Sequence, residues 1–105
     1  MSWFYLILAG LFEIGWPIGL KIAQSDSNRI KGIIIATLCM VMSSYFLYLA
    51  QKTIPLGTAY AVWSGIGAAG TFIAGILLFG DHAAFMHYFG IILIIFGVAA
   101  LRLAS

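Results

Sequence analysis

The chain has 105 residues, of which 64% are hydrophobic and 8% are charged, with a formal net charge of +2. This composition excludes an ordinary soluble domain, and the few scattered basic residues exclude nucleic acid as a partner. The uncharged stretches between the charged residues are instead long enough to span a lipid bilayer, which needs about 20 apolar residues per helix.

Four such stretches follow one another along the chain. We place the helices at about residues 3–22, 32–51, 57–79 and 84–103. The predicted fold is therefore an all-α membrane protein in which residues 1–105 form a single four-helix transmembrane domain with short connections. Because no basic residue precedes Lys21, we expect no signal peptide.

The first predicted helix contains Glu13, the one acidic residue inside a span. An acidic residue at the centre of a membrane helix costs roughly 2.5–3.5 kcal/mol, so its presence predicts a proton or cation site. Trp16 and Gly10 lie one turn on either side of Glu13, where the first can frame the site and the second leaves space. Pro17 deprives the Glu13 carbonyl of its helical partner, and the alternative is that it only kinks the helix.

The second predicted helix adds two hydroxyl groups, those of Ser43 and Ser44, to an otherwise apolar run. Either hydroxyl can satisfy itself on its own helix backbone. The alternative is that one of them hydrogen-bonds Glu13 across the helix interface. Cys39, the single cysteine, is interpreted as a small packing residue and not as half of a disulfide.

The third predicted helix has one face on which polar and small residues recur. That face consists of Tyr60, Trp63, Ser64 and Gly67. Trp63 lies too deep in the span for a natural role at the membrane interface, whereas Tyr60 is close enough to its start to be an interface residue instead. The alternative role of Gly67 is close helix packing, which small residues permit in lipid.

The fourth predicted helix has no ionisable group in its interior, and Gly90 and Gly97 lie on one stripe of it. This pattern predicts a contact between copies of the chain rather than a binding site. His82 and His87 are too few and too near the membrane surface to predict a metal site. The sequence also predicts no cofactor, and we expect a protein that is not an enzyme.

The basic residues give almost no preference for one orientation in the membrane. The side with the first and third loops has Lys21, Arg29 and Lys31, and the side with the termini has Lys52 and Arg102. Orientation normally follows the excess of Lys and Arg, so this small excess permits insertion in both directions. The alternative is that a weak bias still selects one orientation. A second copy would also shield Glu13 from lipid.

Two motifs, AGLFEIGW at residues 9–16 and PLGTAYAVWSGIG at residues 55–67, together with the glycine stripe of the last helix, resemble the small multidrug resistance transporters. The resemblance covers essentially the full length. Trp16, GLK at residues 19–21 and GIGAAG at residues 65–70 are similar to the guanidinium-exporter branch of that family. The quaternary-ammonium branch usually lacks a Trp at the matching position.

The resemblance implies an antiparallel, dual-topology homodimer in the bacterial inner membrane that exchanges protons for a small organic cation. It implies that Glu13 is the shared site of proton and substrate, and that Gly90 and Gly97 lie in the dimer contact. The residues that it implies around Glu13 are Trp16, Ser43, Tyr60 and Trp63, with Gly10, Pro17, Ser64 and Gly67 as further lining or packing residues.

The expected function is proton-coupled export of guanidinium-type cations, because a guanidinium pairs with a carboxylate in bidentate fashion and a proton competes with it. The alternatives are proton-coupled efflux of quaternary ammonium compounds or other cationic drugs, a dual-topology ion channel, and an accessory subunit whose Glu13 pairs with a partner. The loops at 24–31 and 80–88 depart from the family pattern, and they bear on substrate range and gating.

Overall fold

The computed structural model describes residues 1–105 and consists of four long helices. They are α1 (Ser2–Ile22), α2 (Arg29–Ala50), α3 (Leu56–Phe79) and α4 (Phe85–Ala104), with a 3-10 turn at Asp26–Asn28. All four are long and apolar enough to cross a membrane. The prediction of an all-α chain with four membrane-spanning helices is therefore confirmed.

The connection between α1 and α2 is shorter than the sequence predicted. The 3-10 turn Asp26–Asn28 leads directly into α2, which begins at Arg29 instead of near residue 32. Arg29 Nη2 donates a hydrogen bond to Asp26 Oδ1 at 2.7 Å across this junction. Both side chains are exposed, so the pair contributes only about 0–1 kcal/mol to stability.

The connection between α3 and α4 turns sharply at Gly80, which has a φ of 67° in the left-handed region. Asp81 N–H donates to the carbonyl of Gly75 at 3.1 Å, which closes the end of α3 in the manner of a Schellman motif. At the start of α4, Ala84 N–H donates to Nδ1 of His87 at 2.9 Å. At least one backbone group at each of these two helix ends therefore has a partner.

The four helices form a flat layer with extents of 45 × 34 × 16 Å. α1 packs most extensively against α2 and next against α3, while α4 packs mainly on α3. No residue of α4 is buried. A layer this thin leaves apolar side chains on both of its faces to lipid or to another protein chain.

The interface between α1 and α2 is tightest at Gly19 and Gly32. A Cβ atom at Gly19 would lie 2.6 Å from the backbone nitrogen of Ala36 and 2.8 Å from the carbonyl oxygen of Gly32. Here backbone meets backbone, as in other membrane-helix pairs that depend on small residues. Because backbone atoms cannot rotate out of the way as side chains do, Gly19 fixes the distance between the two helices.

A small apolar cluster holds the opposite end of the layer together, where α2 turns into α3. Its buried members are Leu6, Ala50, Ile54, Ala59 and Val62. They join α1 to the end of α2 and to the start of α3. The middle of α1 therefore lies between this cluster and the close contact at Gly19 and Gly32.

We expect Gly19→Ala to reduce the free energy of unfolding by about 1–3 kcal/mol, because the added methyl group would force two backbones apart. SDS-titration unfolding in detergent measures this change. The matched control is Gly57→Ala, since a Cβ at Gly57 has no atom within 4 Å. That control should be neutral or more stable by up to about 1 kcal/mol. Equal stability of the two variants would contradict the packing argument.

Candidate functional site

Ser43 is the one buried polar side chain, only 1% exposed, and its hydroxyl joins three helices. It accepts a hydrogen bond from Trp63 Nε1 at 2.8 Å and donates to the carbonyl oxygen of Ala9 at 2.8 Å. Oε1 of Glu13 lies 3.5 Å away as a second, weaker acceptor. A hydroxyl carries a single proton, so Ser43 can donate to only one of these acceptors at a time.

Glu13 is half-buried beside this hydroxyl, on the side of α1 that faces α3. A Cβ atom at Gly67 would lie 2.5 Å from Glu13 Cγ, so only glycine leaves room for the acidic side chain there. The side chain of Glu13 lines an open cleft of about 620 Å³. An acidic residue thus reaches a space that a small cation or water can enter.

α3 supplies most of the wall of this cleft. It contributes Tyr60, Trp63, Ser64, Gly67, Ala68, Thr71 and Phe72, with Glu13 and Pro17 from α1, Asp81 from the connection and Ile91 from α4. The sequence prediction stopped at Gly67, although the same spacing of three and four residues continues through Thr71. Extending the period by one turn would have found Thr71. Asp81 carries no such signal, because it lies outside the helices.

Two aromatic rings lie together in the wall of the cleft. The ring centroids of Tyr60 and Trp63 are 5.4 Å apart at an interplanar angle of 48°. Trp63 is held by its bond to Ser43, so its ring faces, rather than its N–H, remain available to a ligand. The faces of such rings attract cations.

Trp16 does not line this cleft within a single chain. A helix turns by about 100° per residue, which puts Pro17 and Trp16 on opposite sides of Glu13. Pro17 falls on the side of the cleft, and Trp16 lies in a separate groove of about 220 Å³ between α1 and α2. Gly10 also lies outside the lining of the cleft. It makes room for Ile66 of α3, whose Cγ2 would lie 2.6 Å from an added Cβ. The binding role of Trp16 stays a prediction.

The glycine stripe of α4 is open. A Cβ atom at Gly90 or Gly97 would have no neighbour within 4 Å, whereas Gly65 of α3 packs against Val98 of α4. Within the chain, α4 therefore contacts α3 without using its own glycines. The predicted contact between two copies through Gly90 and Gly97 also stays a prediction.

Comparison of the sequence with known proteins shows the family to which this chain belongs. A sequence profile described as Small Multidrug Resistance protein matches residues 1–94, which include α1, α2, α3 and the first half of α4. This chain belongs to the small multidrug resistance family. It is a multi-pass membrane transporter of that family, and the resemblance carried by its motifs is confirmed.

Relatives within the family match along the whole chain. A protein of Yersinia pseudotuberculosis named guanidinium exporter is 46% identical over 105 residues, which cover 100% of both chains. Guanidinium exporters of Proteus vulgaris and Escherichia coli strain K12 are 45% and 43% identical, again over 100% of this chain and 100% and 99% of their own lengths.

We expect Ser43→Ala to destabilise the protein by about 1–3 kcal/mol, because it leaves the Trp63 N–H without its acceptor. The tryptophan emission spectrum should change as well, since the ring loses the bond that fixes it. Unfolding in detergent and fluorescence measure the two effects. Ser44→Ala is the matched control, because Ser44 is the adjacent hydroxyl and is exposed. A control variant as unstable as Ser43→Ala would contradict the role of the Ser43 bonds.

Proposed function

We propose that this chain is a proton-coupled antiporter that exports small guanidinium-type cations across the bacterial inner membrane as an antiparallel homodimer. The observation that carries the proposal is the half-buried Glu13 carboxylate, which lines an open cleft beside aromatic rings. The names of the full-length relatives support guanidinium as the cargo.

A guanidinium ion suits the chemistry of this cleft. Its planar array of N–H groups can donate two parallel hydrogen bonds to the Glu13 carboxylate. At about 4 Å and an effective dielectric constant of 20, such a charge pair gains roughly 4 kcal/mol. The ring faces of Trp63 and Tyr60 offer a second attraction to the flat cation. The binding group in this proposal is Glu13, and the two aromatic residues hold the cation against it.

Protonation of Glu13 removes the attraction for the cation, so proton and guanidinium compete for one group. A protonated carboxyl group can donate to Ser43 Oγ, which still has a free lone pair while it accepts from Trp63 and donates to Ala9. The Glu13 proton and the cation are thus alternative ways to satisfy the same carboxylate. In a carrier that opens to one side at a time, this competition couples the two fluxes.

The shape of the single chain supports a partner copy. The layer is only 16 Å thick in its shortest extent, and the cleft that Glu13 lines is open. An acidic group in a membrane is stable only when protein or water faces it. A second copy would cover the cleft, and the open stripe with Gly90 and Gly97 offers a surface for contact. Trp16, which lies next to Glu13 on α1, is proposed to line the site of the assembled pair.

We expect Glu13→Gln to lose guanidinium-driven proton movement by at least about 100-fold, because the neutral amide lacks the charge that binds the cation. Initial rates in proteoliposomes with an internal pH dye measure the loss. Asp26→Asn removes an acidic charge outside the cleft and should transport like the unmodified protein. Coupled transport by Glu13→Gln at the unmodified rate would sink the proposed function.

Guanidinium binding should weaken as the pH falls, because each added proton removes a free carboxylate. Where the binding carboxyl is mostly protonated, the apparent dissociation constant should approach about a tenfold rise per pH unit. Calorimetric titration of the purified protein measures this constant. Repeating it in two buffers of different ionisation enthalpy reports the protons released on binding. An affinity that is independent of pH, with no proton release, is incompatible with competition.

A further inference from the structure

A second carboxylate lines the same cleft as Glu13. Asp81, in the connection between α3 and α4, belongs to its wall. The chain has three acidic residues, and the other one, Asp26, is paired with Arg29. Asp81 forms no salt bridge and is exposed, so its charge is available to ions that arrive from water.

The end of α3 directs this carboxylate back towards the helix. The left-handed turn at Gly80 and the bond from Asp81 N–H to the Gly75 carbonyl reverse the chain. A Cβ atom at Gly75 would lie only 2.5 Å from Asp81 Oδ2, so the carboxylate occupies space that the side chain of any other residue at position 75 would enter. The position of Asp81 is therefore set by the backbone of α3 and not by a flexible loop alone.

The two carboxylates stand at opposite ends of one stripe of α3. Glu13 packs on Gly67 and Asp81 packs on Gly75, with Thr71 midway between the two glycines. These glycines are eight positions apart in the helix, which corresponds to about 12 Å along the axis. Thr71 lines the cleft between them and presents a hydroxyl group. Asp81 thus lies at the loop end of the cleft, Glu13 lies further in, and the Thr71 hydroxyl lies between them.

A positive charge also stands near the loop end of the cleft. A smaller pocket of about 200 Å³ shares Pro17, Thr71 and Asp81 with the cleft, and Lys21 lines it too. Lys21 alone would repel an incoming cation from this entrance. Asp81 offsets that repulsion at the point where the cleft meets water.

We propose that Asp81 is a capture residue, which pairs with the cation from water before the cation passes along Thr71 to Glu13. This step rests on the proposed function, because it assumes a guanidinium-type cargo bound at Glu13. An exposed carboxylate holds a cation weakly and releases it quickly, which suits capture rather than storage. Attraction at an exposed site is also screened by salt, so the contribution of Asp81 depends on ionic strength.

The experiment compares Asp81→Asn with the unmodified protein in proteoliposomes, using initial rates of guanidinium-driven proton flux. At low ionic strength we expect KM to rise by about three- to tenfold with a nearly unchanged maximal rate. At about 1 M salt the difference should fall below about twofold. Asp26→Asn is the matched control, because the first and third loops share one side of the membrane. Its KM should stay at the unmodified value.

Gly75→Ala tests the position of the carboxylate without changing the net charge. The added methyl group displaces Asp81 Oδ2, so KM at low salt should rise in the same direction as in Asp81→Asn. The variant Asp81→Glu keeps the negative charge, so its KM should lie between those of Asp81→Asn and the unmodified protein. An unchanged KM in either Asp81→Asn or Gly75→Ala would overturn the capture step, and so would a defect that salt does not reduce. If those variants match the unmodified protein while Glu13→Gln is inactive, only the capture step fails.

Discussion

A carboxylate placed among apolar helices requires a partner, and the rest of the cleft follows from that requirement. The Ser43 hydroxyl is fixed by Ala9 and Trp63, and it stands within reach of the Glu13 carboxylate. Because these bonds join α1, α2 and α3, the contacts that position the acidic group also hold the three helices together. Unpaired polar groups are costly in lipid, so loss of the Ser43 hydrogen bonds affects both stability and the candidate site.

Glycine serves two different purposes in this small chain. At Gly19 and Gly32 it lets two helix backbones touch, which fixes α1 against α2. At Gly67 and Gly75 it leaves space that acidic side chains occupy. The second use makes a chain of only 105 residues able to hold a cleft, because side chains of α1 and of the connection lie directly against the α3 backbone.

The sequence predicts the four spans well, because the charged residues separate long apolar stretches. It also singles out Glu13 as the candidate binding group, since a lone acid in such a stretch is costly without a function. Helix periodicity could not choose between Ser43 and Ser44, because adjacent helical residues differ by about 100° and only tertiary packing decides which faces α1. For the same reason it could not separate the directions of Trp16 and Pro17. The choice of Ser43 came from the family resemblance alone. The place of Asp81 in the wall of the cleft could not be predicted from the sequence, since it depends on the turn after α3.

The hydrogen-bonding capacity of Ser43 gives a physical reason for strict exchange under the proposed function. With Glu13 protonated, Ser43 accepts from Glu13 and from Trp63 while it donates to the Ala9 carbonyl, so every group has a partner. With a guanidinium bound, the cation itself supplies the donors that the carboxylate needs. With neither, Ser43 must leave Ala9 to serve Glu13, and the charge remains only partly compensated. The empty state is therefore the least favourable of the three inside a closed cleft. A carrier that avoids this state carries either a proton or a cation each time it changes the side to which it opens.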